Sequence, residues 1–465
     1  MFIKTTIDGE PVQISSELLV KYDQALPRYT SYPTAPVWHD NITDDEYRKA
    51  LTERAARPAA PMSLYIHLPF CSERCAFCAC NVIISKKRHV IDQYLDAVSA
   101  ELATVGAFFP SKPLLAQLHL GGGTPNYLDP PQMERLLTEV KKYFLFEDTI
   151  EASVEADPRW TNTEKIAGLR TLGINRLSFG VQDIDPVVQQ AINRVQPFEL
   201  VQEQVREARR QGFESVNIDL IYGLPFQNAE RWAKTLNAVA EINPDRIALF
   251  NFAYVPWLHV HHQKIAADSL PMPQEKMRLF TQAIDKFNEM KYDFIGMDHF
   301  ARKTDELSVA RREQKLHRNF QGYTTRAGLD LIGFGVTAIG DIAGRFFQNE
   351  RKLVSYERTV TSGKLATSKG YVRTRNDELR RSLIMQLFCH QKIDKRRVEA
   401  DWKLDFAREF AVPMEKLQNL SRDGLVRLTP ECIEITALGR LFIRNVAAAF
   451  DQYLGQGEGK FSRAV

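Results

Sequence analysis

Four cysteines fall within one short stretch, Cys71-Ser-Glu-Arg-Cys75-Ala-Phe-Cys78-Ala-Cys80, while Cys389 and Cys432 stand alone. Thiolates are soft ligands that suit zinc or iron–sulfur clusters. A structural zinc site closes its tetrahedron with four ligands, often as two separated pairs, and Cys71, Cys75, Cys78 and Cys80 would supply that number. A redox pair needs only two cysteines. The spacing of Cys71, Cys75 and Cys78 instead brings three sulfurs onto one loop, which suits a [4Fe–4S] cube with one iron left unligated. That iron would chelate the amino and carboxylate groups of a methionine-type ligand. An electron entering the neighbouring sulfonium would then break a C–S bond and release a 5′-deoxyadenosyl radical, chemistry that belongs to the cofactor while the protein orients it.

Other residues are placed to support such a site. The run Gly121-Gly122-Gly123-Thr124-Pro125 follows an apolar segment, either as a tight strand-to-helix turn or as bare backbone for a ligand to approach. Glu155 and Asp219 are charges inside apolar strands and need partners there. Gln182 and Arg194, taken alone, read as ordinary surface residues. Two segments set aromatic rings beside basic groups, Arg28-Tyr-Thr-Ser-Tyr32 and residues 317–325. They are either packing segments or receivers of a flat polycarboxylate.

The elements that must position these residues follow a regular rhythm. Apolar β-rich runs at 63–68, 114–120, 150–155, 176–181, 215–222, 246–252 and 293–297 alternate with helical patterns at 91–105, 132–143, 200–211, 229–242 and 274–290. Alternating βα units imply a parallel sheet with helices outside, approaching a barrel whose chemistry sits at the C-terminal strand ends. The expectation is an α/β protein with a barrel at 61–370. It is preceded by a proline-punctuated arm at 1–60, with one helix starting at the capping-box spacing Thr43-x-x-Glu46. Residues 371–465 read as a smaller, mostly helical, winged-helix-like domain: a helix at 378–389, a hairpin from 424–428 and 432–436, and a closing helix at 438–454. Its mixed charges favour packing or a lid over DNA binding.

Lys and Arg total 61 against 58 Asp and Glu, a net charge of +3, so there is no electrostatic case for nucleic acid or a membrane surface. The local run Lys86-Lys87-Arg88 reads as a solvated helix face. No secretory pattern opens the chain and no apolar run is long enough to span a bilayer. The expected setting is the cytoplasm, where thiols stay reduced and clustered cysteines mean metal rather than disulfides. Cys389 and Cys432 are then small buried hydrophobes.

With these residues together, the sequence resembles the oxygen-independent coproporphyrinogen III oxidase family of the radical S-adenosylmethionine (SAM) superfamily. The resemblance rests on Leu64-Tyr65-Ile66-His67-Leu68-Pro69-Phe70 ahead of the cysteines, the additional Cys80, the arm motif, the Gly121–Pro125 run, Ser178-Phe-Gly-Val-Gln182, Gly296-Met-Asp-His-Phe300 and residues 317–325. It implies a partial (β/α)6 radical SAM barrel, a [4Fe–4S] cluster on Cys71, Cys75 and Cys78, and two SAM molecules. Tyr65, Gly122, Glu155 and Ile339 would contact the SAM on the open iron. Phe77, Gly123, Thr124, Gln182, Arg194, Asp219 and Ala253 would line the second site, and the role of Cys80 is open. The implied reaction converts two propionates of coproporphyrinogen III to vinyls in oxygen-independent haem biosynthesis. Its implied partners are a low-potential electron donor and an unknown electron acceptor, around a monomer. Two alternatives stand within the superfamily: a haem chaperone, and an anaerobic methyltransferase that opens haem. One departure is Tyr254, where many relatives carry His.

Overall fold

Strands apolar on both faces can be buried only side by side beneath covering helices. The computed structural model describes residues 2–455 and 461–463 and shows this arrangement. Seven strands run parallel in the spatial order Asp330–Phe334, Met62–Leu68, Leu114–Gly122, Leu145–Ala156, Arg176–Gln182, Ser215–Tyr222 and Arg246–Asn251. Antiparallel strands extend both edges into one twelve-stranded sheet. Every residue of Met62–Leu68 except Tyr65 is buried, as a strand covered on both faces requires. The helices Arg88–Gly106, Pro130–Tyr143, Phe198–Arg210, Ala229–Ile242 and Pro273–Glu289 supply the cover. Trp232 shows how closely they pack: it is fully buried, and its indole N–H donates to the Leu279 carbonyl at 2.8 Å.

Three sequence expectations are corrected. The run at 293–297 is not a further parallel unit. Tyr292–Gly296 pairs antiparallel with His299–Arg302 at the sheet edge. Only Met297 and Asp298 separate those strands, far too few for a parallel crossover. The seventh parallel strand is Asp330–Phe334, outside the expected set.

The closing helix at 438–454 is broken into Ala437–Leu441, Ile443–Ala447 and a 3-10 turn at Ala448–Phe450, with Phe442 at φ −113°, ψ 26° between the first two. Tertiary demands on its arginines accompany the break. Arg440 reaches Asp8 and the Phe294 carbonyl, and Arg444 donates to the Leu26 and Pro27 carbonyls.

The arm, finally, is not a tail with one helix. Phe2–Ile7 and Glu10–Ser15 form a hairpin turning at Asp8-Gly9, both with positive φ, an Asp-Gly signal the sequence carried. The hairpin docks on Pro273–Glu289 through Thr5 Oγ1 to Asp285 at 2.7 Å and Asn288 Nδ2 to the Thr6 carbonyl at 2.7 Å. A helix does run over Asp44–Ala55, with Thr43 accepting from the Glu46 N–H, while the Glu46 carboxylate pairs with Arg345 at 2.6 Å.

Beyond the sheet, helix Arg375–His390 leads into a three-stranded antiparallel sheet with Cys432–Ile435 between Lys392–Asp394 and Val426–Leu428. Helices Lys395–Trp402 and Ala411–Arg422 accompany it, in keeping with the winged-helix expectation. Cys389 is buried, while Cys432 is half-buried with its Sγ 3.2 Å from Thr429 Oγ1.

The arm motif lies between these parts. Tyr29 and Tyr32 are completely buried, so their faces pack and are not open to a flat ligand. Tyr29 donates to Asp451 at 3.0 Å, and Arg318 donates to the Arg28 and Tyr29 carbonyls at 2.9 and 2.7 Å. Arg444 satisfies the carbonyls of Leu26, Pro27, Ser462 and Arg463 at once. Arg444→Met should therefore strip several buried acceptors of their donor and cost about 3 kcal/mol. The expected result is a lower thermal midpoint and faster limited proteolysis within residues 23–39; an unchanged proteolytic pattern would contradict this anchoring role.

Candidate functional site

The thiol loop springs from the C-terminal end of Met62–Leu68. Phe70–Cys71 pairs in parallel with Ile83–Ile84, which closes the loop carrying Cys75, Cys78 and Cys80. Segments that follow the neighbouring strands pin its backbone. Ala76 N–H donates to the Ile192 carbonyl at 2.9 Å, and Asn193 Nδ2 donates to the Arg74 carbonyl at 3.1 Å. His261 Nε2 meets the Cys78 carbonyl at 2.6 Å and His262 Nε2 the Phe77 carbonyl at 3.2 Å. The Val255 N–H donates to His262 Nδ1 at 3.2 Å, so the His262 proton sits on Nε2 and is given to the loop.

Each thiol has its own surroundings. Cys71 Sγ lies 3.2 Å from Thr124 Oγ1, and burial pushes its thiol up to about 11. Burial also raises Cys75, against the pull of Arg194 at 3.6 Å and Arg159 at 4.0 Å from its sulfur. Both guanidiniums are held by Asp157, at 2.9 Å from Arg194 and 2.8 Å from Arg159. A hydrogen bond from Cys80 draws Cys78 down to about 7. Among the described residues no three His, Cys, Asp or Glu side chains are already drawn together as a metal-ion site: Cys71 turns to Thr124, Cys75 to Arg194, and Cys78 and Cys80 to each other. The donor set nevertheless fits an iron–sulfur cluster: three soft ligands on one pinned loop, with cations behind Cys75 to offset thiolate charge.

The glycine turn at the end of Leu114–Gly122 locks against the root of this loop. Gly123 N–H donates to the Leu68 carbonyl at 2.8 Å and Thr124 N–H to the Phe70 carbonyl at 2.9 Å. A Cβ on Gly123 would lie 2.6 Å from the Pro69 backbone, so only glycine permits this approach. Thr124 is thereby brought to Cys71. Gly122, at φ +118°, turns its N–H onto Glu155 Oε2 at 3.1 Å.

A cavity of about 590 Å³ opens beside the loop, lined among others by Tyr65, His67, Glu155 and Ile339. His67 Nε2 faces the Asn81 carbonyl at 3.0 Å and so carries the proton, which leaves Nδ1 to accept from Tyr65 OH at 3.0 Å. Burial raises the Glu155 carboxyl, but the hydrogen bond from His119 at 3.2 Å, the His119 charge and the Gly122 N–H outweigh it and hold the group below its usual range. An adjoining cavity of about 180 Å³ inside the sheet holds Asp219 with His119 and Glu155. Burial and the Glu155 charge push Asp219 up to about 7, against hydrogen bonds from Asn217 at 2.7 Å and Ser178 at 3.3 Å.

The residues singled out in the sequence thus gather at one rim. Tyr65, Glu155 and Ile339 line the larger cavity and Asp219 the smaller; Gly122, Gly123 and Thr124 form the turn; Phe77 lies on the thiol loop. Gln182 and Arg194 are not surface residues: they are 8% and 7% exposed. Gln182 has φ +69° at a bulge ending its strand, a strained position of the kind that clusters at ligand sites. Ala253 follows Arg246–Asn251, and Tyr254 stacks nearly parallel on His262 with centroids 6.2 Å apart, so it packs behind the loop clamp. Cys80 is exposed.

Sequence reasoning missed His67, His119, His261, His262, Arg159 and Asp157. The two-residue period from Tyr65 could have found His67. His119 needed the sheet register, which sets it directly opposite Tyr65, rings stacked at 5.8 Å.

The family model described as the radical SAM superfamily matches residues 65–239, and the one described as the HemN C-terminal domain matches residues 374–442. An oxygen-independent coproporphyrinogen III oxidase from Salmonella typhimurium is 44% identical over 450 residues, 96% of this chain and 98% of that relative. Its namesake from Synechocystis is 41% identical over 461 residues, 98% of each. The solved structure of coproporphyrinogen III oxidase (HemN) from Escherichia coli, described as a radical SAM enzyme, superposes with a TM-score of 0.88 at 43% identity, covering 92% of this chain and 100% of that one.

Gly123→Ala tests the locked turn. The added methyl must displace the Pro69 or Phe70 backbone, so iron and sulfide retained after anaerobic reconstitution should fall several-fold while helical content is kept. Full cluster loading would show that the close approach is dispensable.

Proposed function

The chain belongs to the oxygen-independent coproporphyrinogen III oxidase family of the radical SAM superfamily, and from that premise we propose that it decarboxylates two propionates of coproporphyrinogen III to vinyls, giving protoporphyrinogen IX in haem biosynthesis. The observation that carries this reading is a correspondence over nearly the whole chain, arm and C-terminal part included, rather than over the thiol loop alone.

When bound, the [4Fe–4S] cluster and SAM supply the one-electron chemistry that removes a hydrogen atom from a propionate β-carbon, after which carbon dioxide leaves and one electron passes to an acceptor. The chain's own residues have separable tasks. Cys71, Cys75 and Cys78 hold the cluster; Thr124 donates to the Cys71 sulfur, and Arg194 and Arg159 offset the charge on Cys75. Tyr65, Gly122, Glu155 and Ile339 bind the SAM on the open iron. Glu155, kept ionised by His119 and the Gly122 N–H, accepts from its hydroxyl or amino groups. A second SAM is assigned to Phe77, Gly123, Thr124, Gln182, Arg194, Asp219 and Ala253. Asp219, with a carboxyl near 7, would there be sensitive to the charge of an incoming cation.

The remaining assignments are a low-potential electron donor, a separate acceptor, a monomeric state and a cytoplasmic setting. Six free thiols among the described residues are compatible with that setting, and no described helix is long and apolar enough to cross a membrane. The division into an arm to residue 60, a sheet unit to 370 and a C-terminal unit beyond is supported by the C-terminal match at 374–442.

Anaerobic incubation with SAM, a strong reductant, cell extract as acceptor and coproporphyrinogen III should release carbon dioxide and form protoporphyrinogen IX. Stoichiometric haem binding without turnover would favour a chaperone, and a linear tetrapyrrole product the methyltransferase. Cys71→Ala, Cys75→Ala and Cys78→Ala should each abolish SAM cleavage. Cys80→Ala should keep the electron paramagnetic resonance signal of the reduced cluster; its disappearance would make Cys80 a ligand.

A further inference from the structure

The cavity beside the thiol loop has one wall that the cluster and SAM assignments leave unused. Arg351 and Lys369 stand on it. Arg351 lies just beyond strand Arg345–Asn349, and Lys369 on the adjacent strand Thr367–Val372, opposite Gln348 in register. The thiol loop abuts this wall, since Asn81 Nδ2 reaches the Arg351 carbonyl at 3.4 Å.

Three arginines on and beside these strands are neutralised. Arg345 pairs with Glu46 and Glu53, Arg373 with Asp341 and Glu378, and Arg381 with Asp341. Among the described residues neither Arg351 nor Lys369 has a carboxylate within ion-pair distance. Among the described residues Lys369 touches neutral partners, the Ala35 carbonyl at 3.3 Å and the face of Trp38 at 5.9 Å. Burial and the Arg351 charge both push the Lys369 ammonium down, the signature of like charges lacking a counter-ion. His259 is lowered mainly by burial and the His261 charge, with smaller contributions from Arg351 and Arg74. The one carboxylate on the cavity lining, Glu155, already accepts from His119 and Gly122.

Arg351 is exposed and Lys369 half-buried, and two like charges on one wall repel each other unless an anion joins them. A guanidinium offers a planar fork to a carboxylate and an ammonium a movable point charge, so the pair suits one carboxylate seated between them. The geometry points to Arg351 and Lys369 as a clamp for a propionate carboxylate of the tetrapyrrole substrate, holding it over the cavity shared with Tyr65, Glu155 and Ile339. The assignment rests on the decarboxylase reading above. It goes beyond that reading by naming which cations select a polycarboxylate, and it commits to the substrate rather than to the SAM carboxylate as the anion.

The test uses the anaerobically reconstituted holoenzyme. Losing one charge-assisted hydrogen bond should raise KM for coproporphyrinogen III about tenfold or more in Arg351→Gln and in Lys369→Gln. Arg351→Lys and Lys369→Arg should recover part of it, and they replace any neutral variant that fails to take up its cluster. Added salt should raise KM in the wild type more than in the neutral variants. KM within about twofold of wild type in both neutral variants would overturn the clamp, as would weakened SAM binding with KM unchanged. A second arm needs no turnover and so separates failure of the clamp from failure of the reaction. Titration with coproporphyrin III and with its tetramethyl ester should show wild-type preference for the free acid, and the neutral variants should lose it. Equal preference in wild type and variants would reject the clamp even if decarboxylation is established.

Discussion

The site depends on one close backbone approach. The glycine turn ending Leu114–Gly122 and the Leu68–Phe70 root of the thiol loop share two hydrogen bonds, with no space for even a methyl group between them. Adjacent parallel strands deliver their C-terminal ends to the same rim, but side chains would ordinarily keep those ends apart. Glycine removes that barrier, so Thr124 meets Cys71 and the Gly122 N–H meets Glu155. Sulfur ligands and carboxylate are thus fixed relative to one another by main chain, which is stiffer than any pair of long side chains.

Around this joint the charges are sorted. Arg194 and Arg159 stand behind Cys75, both tied to a buried Asp157. Glu155 is held ionised, whereas Asp219 in the next cavity is pushed toward neutrality by burial and by the Glu155 charge. Two nearby carboxylates whose environments drive their protonation apart are a feature that clusters at functional sites. The imidazoles serve positioning: His67 and His262 each spend their ring nitrogens on fixed hydrogen bonds, and His262 gives its proton to the loop carrying the thiols.

The arm and the C-terminal residues form the other half of the construction. Tyr29 and Tyr32 are buried against Asp451 and Gln452, and Arg318, from the hairpin His317–Asn319 and Gly322–Thr324, caps the arm carbonyls. Phe320 and Gln321 at the tip of that hairpin line the cavity beside the loop. A chain of contacts therefore runs from the C-terminal part through the arm to the wall facing the thiols, and it accounts for the aromatic and basic residues in segments that are otherwise irregular.

Much of this was legible in the residue order. The apolar β-rich runs alternating with helical patterns found six of the seven parallel strands, and Ser215–Tyr222 and Ala229–Ile242 coincide with the expected bounds, because burial leaves a local apolar signature in each element. The cysteine spacing, the glycine run and the carboxylates at strand ends marked the rim for the same reason: each is a short-range pattern. What the residue order left undecided needed contacts between distant segments. Register set His119 opposite Tyr65; inward arginines accompanied the break in the closing helix; the arm became a docked hairpin and wedge; Gln182 and Arg194 were buried; Arg351 and Lys369 came to line one cavity. Local periodicity reports which face of an element is hidden, but not what hides it, and charge compensation exists only once the fold has chosen the neighbours.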